Sequence, residues 1–181
     1  MKQEKWFDRS FNFENNQKIF PSILERLSGT PIRLEEKVKE LSEKILTFSM
    51  DKTWTIKENI GHLIDLEPLW QGRLEDIVNG QIELRSTDLQ NTQTDLADHN
   101  GTWLHELLYE FREKREKTIL ALQSINDETV LKSALHPRLK KPMRTMDLFL
   151  FVAEHDDHHL ARITELLKMK KLVKNGQELK I

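Results

Sequence analysis

The sequence contains no cysteine, which excludes disulfide bonds, thiolate metal ligands and cysteine nucleophiles. Any thiol that takes part in chemistry here must therefore come from a small molecule. Glycine and proline are also scarce, with six and five residues in a chain of 181. Because these two residues punctuate turns and interrupt helices, their scarcity favours helix over sheet.

No charge of one sign dominates, since 28 basic residues stand against 30 acidic ones. A face that neutralises phosphates needs a basic excess, so we expect no nucleic-acid partner. Long apolar runs are missing as well: the longest, residues 148–153, is far too short to span a bilayer. No apolar segment of the kind found in signal peptides follows Met1. These absences predict a cytoplasmic protein without a membrane partner. The length of the chain predicts a single domain over residues 1–181.

Apolar residues recur at spacings of three and four in four long segments, which predicts four helices. The predicted helices cover residues 20–46, 55–79, 101–124 and 145–170, and residues 81–100 and 136–142 are predicted to be loops. Four long helices in a chain of this length predict an all-α fold, a four-helix bundle. The aromatic segment at 6–13 is expected to dock over the bundle or over a neighbouring subunit.

Prolines interrupt two of these helices. Thr30 and Pro31 have the pattern of an N-cap followed by proline, so the first segment is either two helices or one helix that bends. Pro68 is expected to bend or split the second segment. That segment starts with a capping box formed by Thr55 and Glu58, in which the two side chains satisfy free backbone amides.

The last predicted helix carries two histidines one turn apart. His155 and His159 fall on the same helical face as Val152 and Ile163, so they interrupt an apolar seam. An imidazole inside a bundle is costly unless its nitrogens find partners. The two rings are either core histidines bonded to backbone or carboxylate, or ligands of one metal ion. The spacing of four residues favours the metal.

A metal site needs a third ligand from elsewhere in the chain. His62 lies among apolar residues of the second helix, beside Gly61, which allows another group to approach closely. His99 and His105 lie in polar sequence and are predicted to be exposed. His136 precedes a proline in a loop, where it either lines a pocket or has no role. By elimination, His62 is the best third ligand.

Around these histidines the sequence resembles the DinB/YfiT-like superfamily of metal-binding four-helix bundles. Residues 54–63 are similar to the family's tryptophan-led second helix with its metal histidine, and residues 155–163 to its final histidine pair. Residues 136–145, with their two prolines, are similar to the loop before the last helix in the YfiT-like branch. The resemblance extends from about residue 20 to residue 170.

The resemblance implies an up-down-down-up bundle in which His62, His155 and His159 bind one divalent metal ion, zinc or nickel. It also implies a small-molecule substrate and, in many family members, a homodimer. Members with an assigned activity are transferases or isomerases that use low-molecular-weight thiols.

Three neutral imidazoles leave coordination positions open, as catalytic sites do and structural sites usually do not. A metal ion there would lower the pKa of a bound thiol. Our hypothesis from the sequence is a metal-dependent thiol S-transferase that acts on a small electrophile. A metal-dependent hydrolase and a non-catalytic, metal-stabilised binding module linked to stress are the alternatives.

Two further side chains are candidate catalytic residues. Glu67 projects near the apolar seam of the second helix, where it could orient a histidine or act as a general base. Asp156 and Glu154 neighbour the histidine pair and could accept a histidine N–H as well. Arg162 could receive an anionic substrate or pair with a nearby carboxylate.

Overall fold

The computed structural model describes residues 3–49 and 53–174. In chain order, the helices and strands are α1 (Phe20–Val38), α2 (Glu43–Leu46), α3 (Ile56–Val78), α4 (Thr92–Leu96), α5 (Leu104–Gln123), α6 (Asp127–Leu131), β1 (Ser133–Leu135), β2 (Pro142–Arg144) and α7 (Thr145–Lys174). Two 3-10 turns, Trp6–Asp8 and Gln17–Ile19, precede α1. Among the described residues, no helix combines the length and the apolar character that crossing a bilayer would require.

The four long helices α1, α3, α5 and α7 form a bundle in which α1 and α3 lie diagonally opposite each other. Each of these two packs against both α5 and α7. Arg26 near the start of α1 contacts Glu154 of α7, and Lys37 near its end contacts Thr164, so these two helices are parallel. α3 meets α7 in the reverse order and runs in the same direction as α5. The predicted up-down-down-up four-helix bundle is therefore confirmed.

The helix predicted over residues 20–46 is wrong only at residues 39–42, where α1 has ended at Val38 and a turn separates it from α2. Pro31 does not divide α1, which continues through it. Since proline has no N–H, the carbonyl of Leu27 lacks its partner within the helix. Arg115 of α5 donates to that carbonyl at 3.2 Å. A hydrogen bond between helices thus replaces the one that proline removes.

α3 begins and ends where the sequence predicts. The Thr55 side chain accepts a hydrogen bond from the backbone N–H of Glu58, whose carboxylate accepts one from the N–H of Thr55. Gly80, with a φ of 72°, follows the last turn in the left-handed conformation that suits glycine. Pro68 lies inside α3 without splitting it. The result is one helix of 23 residues that carries His62 near its start.

Of the residues 136–142 predicted as a loop, 136–141 connect the two strands of a small antiparallel hairpin, and Pro142 is the first residue of β2. Strands of three residues are too short to show the alternating pattern by which strands are recognised. Leu135 also pairs with Glu83 from the segment after α3. The hairpin thereby holds the buried ring of His136 against Arg73 of α3.

A layer of buried polar side chains divides the apolar core. Along α1, Leu27 belongs to one apolar cluster and Leu34 to the other, with Thr30 between them. Along α7, Ala153 and Leu160 belong to the two clusters in the same way. The layer contains Thr30, His62, Glu67, Arg115, Thr118, His155, Asp156 and His159, each at most 5% exposed. Polar groups buried so deeply need partners, and the candidate site is part of this layer.

Candidate metal centre

Three histidines meet on the side of the polar layer formed by α3 and α7. They are His62, His155 and His159, called the histidine cluster below. One ring nitrogen of each lies within 4.8 Å of the other two, and the Nε2 atoms of His155 and His159 are 3.2 Å apart. The structure therefore brings together all three side chains that the sequence predicts as metal ligands.

A hydrogen bond determines which nitrogen of His159 is free. Its Nδ1 lies 2.8 Å from Oδ1 of Asn59. The amide nitrogen of Asn59 donates to the carbonyl of Thr55 at 2.7 Å, which turns the amide oxygen towards the ring. Nδ1 of His159 consequently carries the proton, and Nε2 keeps its lone pair.

The same argument applies to His62. Its Nδ1 lies 3.1 Å from Oγ1 of Thr94, and the Thr94 hydroxyl donates to Asp65 at 2.8 Å. Because the hydroxyl proton is directed at Asp65, Thr94 accepts the proton on Nδ1 of His62. This leaves Nε2 of His62 with a free lone pair as well.

The prediction that His99 is exposed is wrong. Its side chain is buried, with Nε2 3.0 Å from a carboxylate oxygen of Asp65. The ring lies so close to Gly61 that a Cβ there would come within 2.2 Å of it. The close approach that Gly61 was expected to allow is therefore made by His99. His105, in contrast, is exposed as predicted.

The chemistry of the cluster fits a divalent cation. Nε2 of His62 and of His159 present lone pairs, and Nε2 of His155 lies beside that of His159. Metal–nitrogen bonds of about 2.0 Å in a tetrahedral zinc site put the ligand nitrogens about 3.3 Å apart. The separation of 3.2 Å between the Nε2 atoms of His155 and His159 is close to that value.

Burial keeps the three imidazoles neutral. Desolvation lowers the pKa of His62 to about 4, although the nearby Asp65 acts in the opposite direction. Desolvation also lowers the pKa of His155 and of His159 well below the ordinary value, and the neighbouring histidines add to this effect. Since metals bind the neutral imidazole, all three rings are in the correct protonation state at neutral pH.

The histidine cluster faces a cavity of about 240 Å³. The aromatic side chains that line this cavity are Trp6, Phe7, Trp54, Trp70 and Phe151. The ring centre of Trp6 lies 4.9 Å from that of His155, so the aromatic segment at 6–13 docks over its own bundle. A cavity with apolar walls and a few convergent polar groups is typical of small-molecule sites.

A sequence profile of the DinB superfamily matches residues 26–163, which is most of the chain. The chain belongs to the DinB superfamily. Its fold is similar to that of YfiT from Bacillus subtilis, with a TM-score of 0.78 and 20% sequence identity over 90% of this chain and 94% of YfiT. YfiT is described as a probable metal-dependent hydrolase with an unusual four-helix bundle topology. No curated protein sequence matches this chain.

In this DinB-superfamily bundle, the carboxylates predicted beside the histidines have other partners. Glu67 and Asp156 both form ion pairs with Arg115, and neither lines the cavity. The side chains that orient the histidines are instead Asn59 and Thr94. Asn59 lies one turn before His62 on α3, so its place on the helix could have indicated that it reaches the histidine cluster, where it contacts His159. Thr94, 32 residues after His62, lies in aperiodic polar sequence that gives no such signal.

Arg162 lines the cavity and forms an ion pair with Glu165. Of the two roles expected for it, pairing with a carboxylate is present, and binding an anionic substrate stays a prediction. His158 lies on the flank of α7, as predicted, and lines the cavity together with His136. Burial and neighbouring arginines lower the pKa of both histidines to about 4.

Proposed function

We propose that this protein binds one divalent metal ion through the histidine cluster and hydrolyses a small molecule in the adjoining cavity. The observation that carries the proposal is the 3.2 Å approach of the Nε2 atoms of His155 and His159 in a cluster that faces the aromatic cavity. The similarity to YfiT, described as a probable metal-dependent hydrolase, supports it.

A divalent ion held by His62, His155 and His159 would lower the pKa of a bound water or thiol and so supply a nucleophile at neutral pH. Asn59 and Thr94 hold two of the rings in the required orientation. The three rings are at most 5% exposed, which limits the access of bulk water to them. Glu67 is held by Arg115 and Thr118, so we assign it to the packing of the bundle and not to proton transfer.

Thiol transfer is the second candidate function. The chain has no cysteine, so the thiol would be a cosubstrate. A cavity of about 240 Å³ beside the cluster has space for a small thiol next to its electrophile, and this observation favours the second candidate. Three histidines accept both zinc and nickel, and both metals suit either reaction.

The test begins with the metal content of the purified protein, followed by assays on a panel of esters and amides in water alone. The same assays are repeated with several thiols and a generic electrophile. We expect about one metal ion per chain, and activity that chelation abolishes and added metal restores. His159→Ala should lose both metal and activity while circular dichroism shows an intact fold. His105→Ala, which removes an exposed histidine, should keep both.

The outcomes separate the candidate functions. Turnover without any thiol supports hydrolysis. Turnover only with a thiol overturns hydrolysis in favour of thiol transfer. Full metal occupancy with no turnover under any condition overturns both and leaves a non-catalytic metal-binding module.

A further inference from the structure

Two arginines that line the cavity have hydrogen-bond donors without acceptors. Arg73 is only 1% exposed and Arg138 is half-buried; together they are called the arginine pair below. Nη2 of each is buried and has no hydrogen-bond partner. Within the described residues, no carboxylate forms an ion pair with either guanidinium.

A buried guanidinium without a carboxylate is unusual, because burying a charge is costly unless it is paired. The negative charge of Asp76 acts to raise the pKa of Arg73, but both carboxylate oxygens of Asp76 accept hydrogen bonds from Arg85. Burial, together with the positive charges of Arg138 and Arg85, lowers the pKa of Arg73 to about 10. Arg73 is therefore still a cation at neutral pH.

His136 adds another donor at the same place. Its Nδ1 lies 3.2 Å from the backbone N–H groups of Arg138 and Leu139, and its Nε2 lies 3.2 Å from Nη1 of Arg73. Arginine and backbone amides only donate, whereas a neutral imidazole accepts at one nitrogen only. If Nδ1 of His136 carries the proton, it faces the two backbone N–H groups, and if Nε2 carries it, it faces the guanidinium of Arg73. In both cases one N–H group of His136 faces another donor. In this part of the cavity, donors therefore outnumber acceptors.

The arginine pair and the histidine cluster share one cavity. The guanidinium of Arg73 lies 5.5 Å from the ring centre of Trp70, and the same ring lies 6.0 Å from that of His155. Arg138 lies over the ring of Phe7 at 5.2 Å. A molecule that reaches from the cluster across Trp70 would therefore meet the arginine pair.

The charges of the cavity favour an anion. Among the described residues that line it, Asp88 is the only carboxylate. Its two oxygens accept hydrogen bonds from the backbone N–H groups of Gln90 and Thr92, so this carboxylate is bound within its own turn and not to the arginines. A divalent ion at the histidine cluster would make the cavity more positive still.

We propose that Arg73 and Arg138 form a subsite for an oxyanion, the carboxylate or phosphate group of a molecule on which the histidine cluster acts. Guanidinium groups donate paired hydrogen bonds that match the geometry of these two groups. The role in a reaction rests on the proposed function, whereas the binding of the anion does not. The anionic group belongs either to the substrate or to a thiol cosubstrate, and its recognition is the same in both cases.

Titration calorimetry with inorganic phosphate on the metal-stripped protein tests the subsite without any reaction. We expect the dissociation constant to rise about tenfold or more in Arg138→Gln, since a hydrogen bond to a charged group is lost. Arg73→Lys, which keeps the charge but loses the planar fork, should weaken binding as well. Arg112→Gln removes the same charge from an exposed ion pair with Glu35 and should bind phosphate like the wild type. Equal phosphate binding by the wild type and Arg138→Gln would overturn the proposal.

Kinetics then identify the source of the anion. An anionic and a neutral ester with the same leaving group are compared, and so are a carboxylate-bearing and a neutral thiol. In Arg138→Gln, KM should rise about tenfold either for the anionic ester or for the carboxylate-bearing thiol, but not for both. The kcat values, and the KM values for the neutral ester and the neutral thiol, should stay the same. Phosphate binding without any turnover would retain the subsite and overturn the proposed function. Turnover with equal KM values in both proteins would retain the function and overturn the subsite.

Discussion

Two groups of buried polar side chains share the middle of the bundle, and they differ in whether their members have partners. Arg115 forms ion pairs with Glu67 and Asp156, and these three residues are called the ion network. In the histidine cluster, by contrast, ring nitrogens with free lone pairs face one another, and Nε2 of His155 and of His159 lie 3.2 Å apart. A complete network serves the structure by itself, whereas an incomplete one needs a ligand to satisfy it.

The arginines show the same contrast. Burial disfavours the charge of Arg115, but Asp156 and Glu67 raise its pKa above the ordinary value. Burial lowers the pKa of Arg73, which has no carboxylate of its own. Two guanidinium groups buried almost equally, at 1% exposure each, thus have opposite electrostatic environments. We infer that Arg115 stabilises the fold and that Arg73 binds a ligand.

The largest effect should come from breaking the ion network. Arg115→Met leaves Glu67 and Asp156 as buried, uncompensated carboxylates, so we expect the free energy of unfolding to fall by about 3–5 kcal/mol. Denaturant unfolding of the metal-free protein measures this loss. The control, Arg112→Gln, breaks an exposed ion pair and should cost less than about 1 kcal/mol. Similar losses in the two variants would contradict the assignment of Arg115 to the fold.

Removal of the metal should have the next largest effect. A ligand that binds only the folded state at 100 times its dissociation constant adds about 2.7 kcal/mol to the free energy of unfolding. Chelation should therefore lower the thermal midpoint while the helical circular dichroism below that midpoint stays the same. A midpoint that responds to neither chelator nor added zinc or nickel would show that the cluster holds no ion.

Loss of an orienting side chain should have a smaller effect. Asn59→Ala removes the acceptor for Nδ1 of His159, and we expect the metal affinity to fall about 10–100-fold. Competition with a chelator of known affinity measures it. Gln71→Ala removes an amide from the same helix, where its partners are on α5, and should keep the wild-type affinity. Equal affinities in the two variants would mean that Asn59 does not orient His159.

Protonation of the buried histidines should also lower the stability, and a pH titration measures this effect. The folded-state pKa values of His62, His136 and His158 are lowered to about 4, mainly by burial, whereas these groups titrate near 6.5 in the unfolded chain. Between these values the unfolded chain binds more protons, so stability rises with pH. The metal-free protein should therefore lose stability as the pH falls from about 6.5 to about 4. Thermal midpoints that stay constant across this interval would contradict the neutral, buried state of these rings.

Local periodicity explains what the sequence could predict. His155 and His159 are one turn apart on an apolar face, so their convergence follows from helix geometry alone. His62 has to be chosen by elimination, yet the bundle places it beside the pair. The first inference depends only on helical phase, whereas the second rests on the apolar surroundings of His62 in the sequence.

Contacts between distant residues explain what the sequence could not predict. Thr94 and His99 reach α3 because a polar, aperiodic segment folds back on it, and no period marks such a segment. Pro31 has the pattern of a helix break, but Arg115 takes over the carbonyl that it leaves free. In the sequence, Arg73 is indistinguishable from an exposed charged residue on a helix. Only the three-dimensional structure shows that it is buried and that its Nη2 has no hydrogen-bond partner.

X-ray absorption spectroscopy at the metal edge of the purified protein is the most direct test of the central claim, that His62, His155 and His159 bind one divalent ion. The claim predicts stoichiometric zinc or nickel with three imidazole nitrogens at about 2.0–2.1 Å and at least one further light-atom ligand. It also predicts that His159→Ala contains no metal. A protein without metal, or a metal bound by oxygen atoms alone, would contradict it.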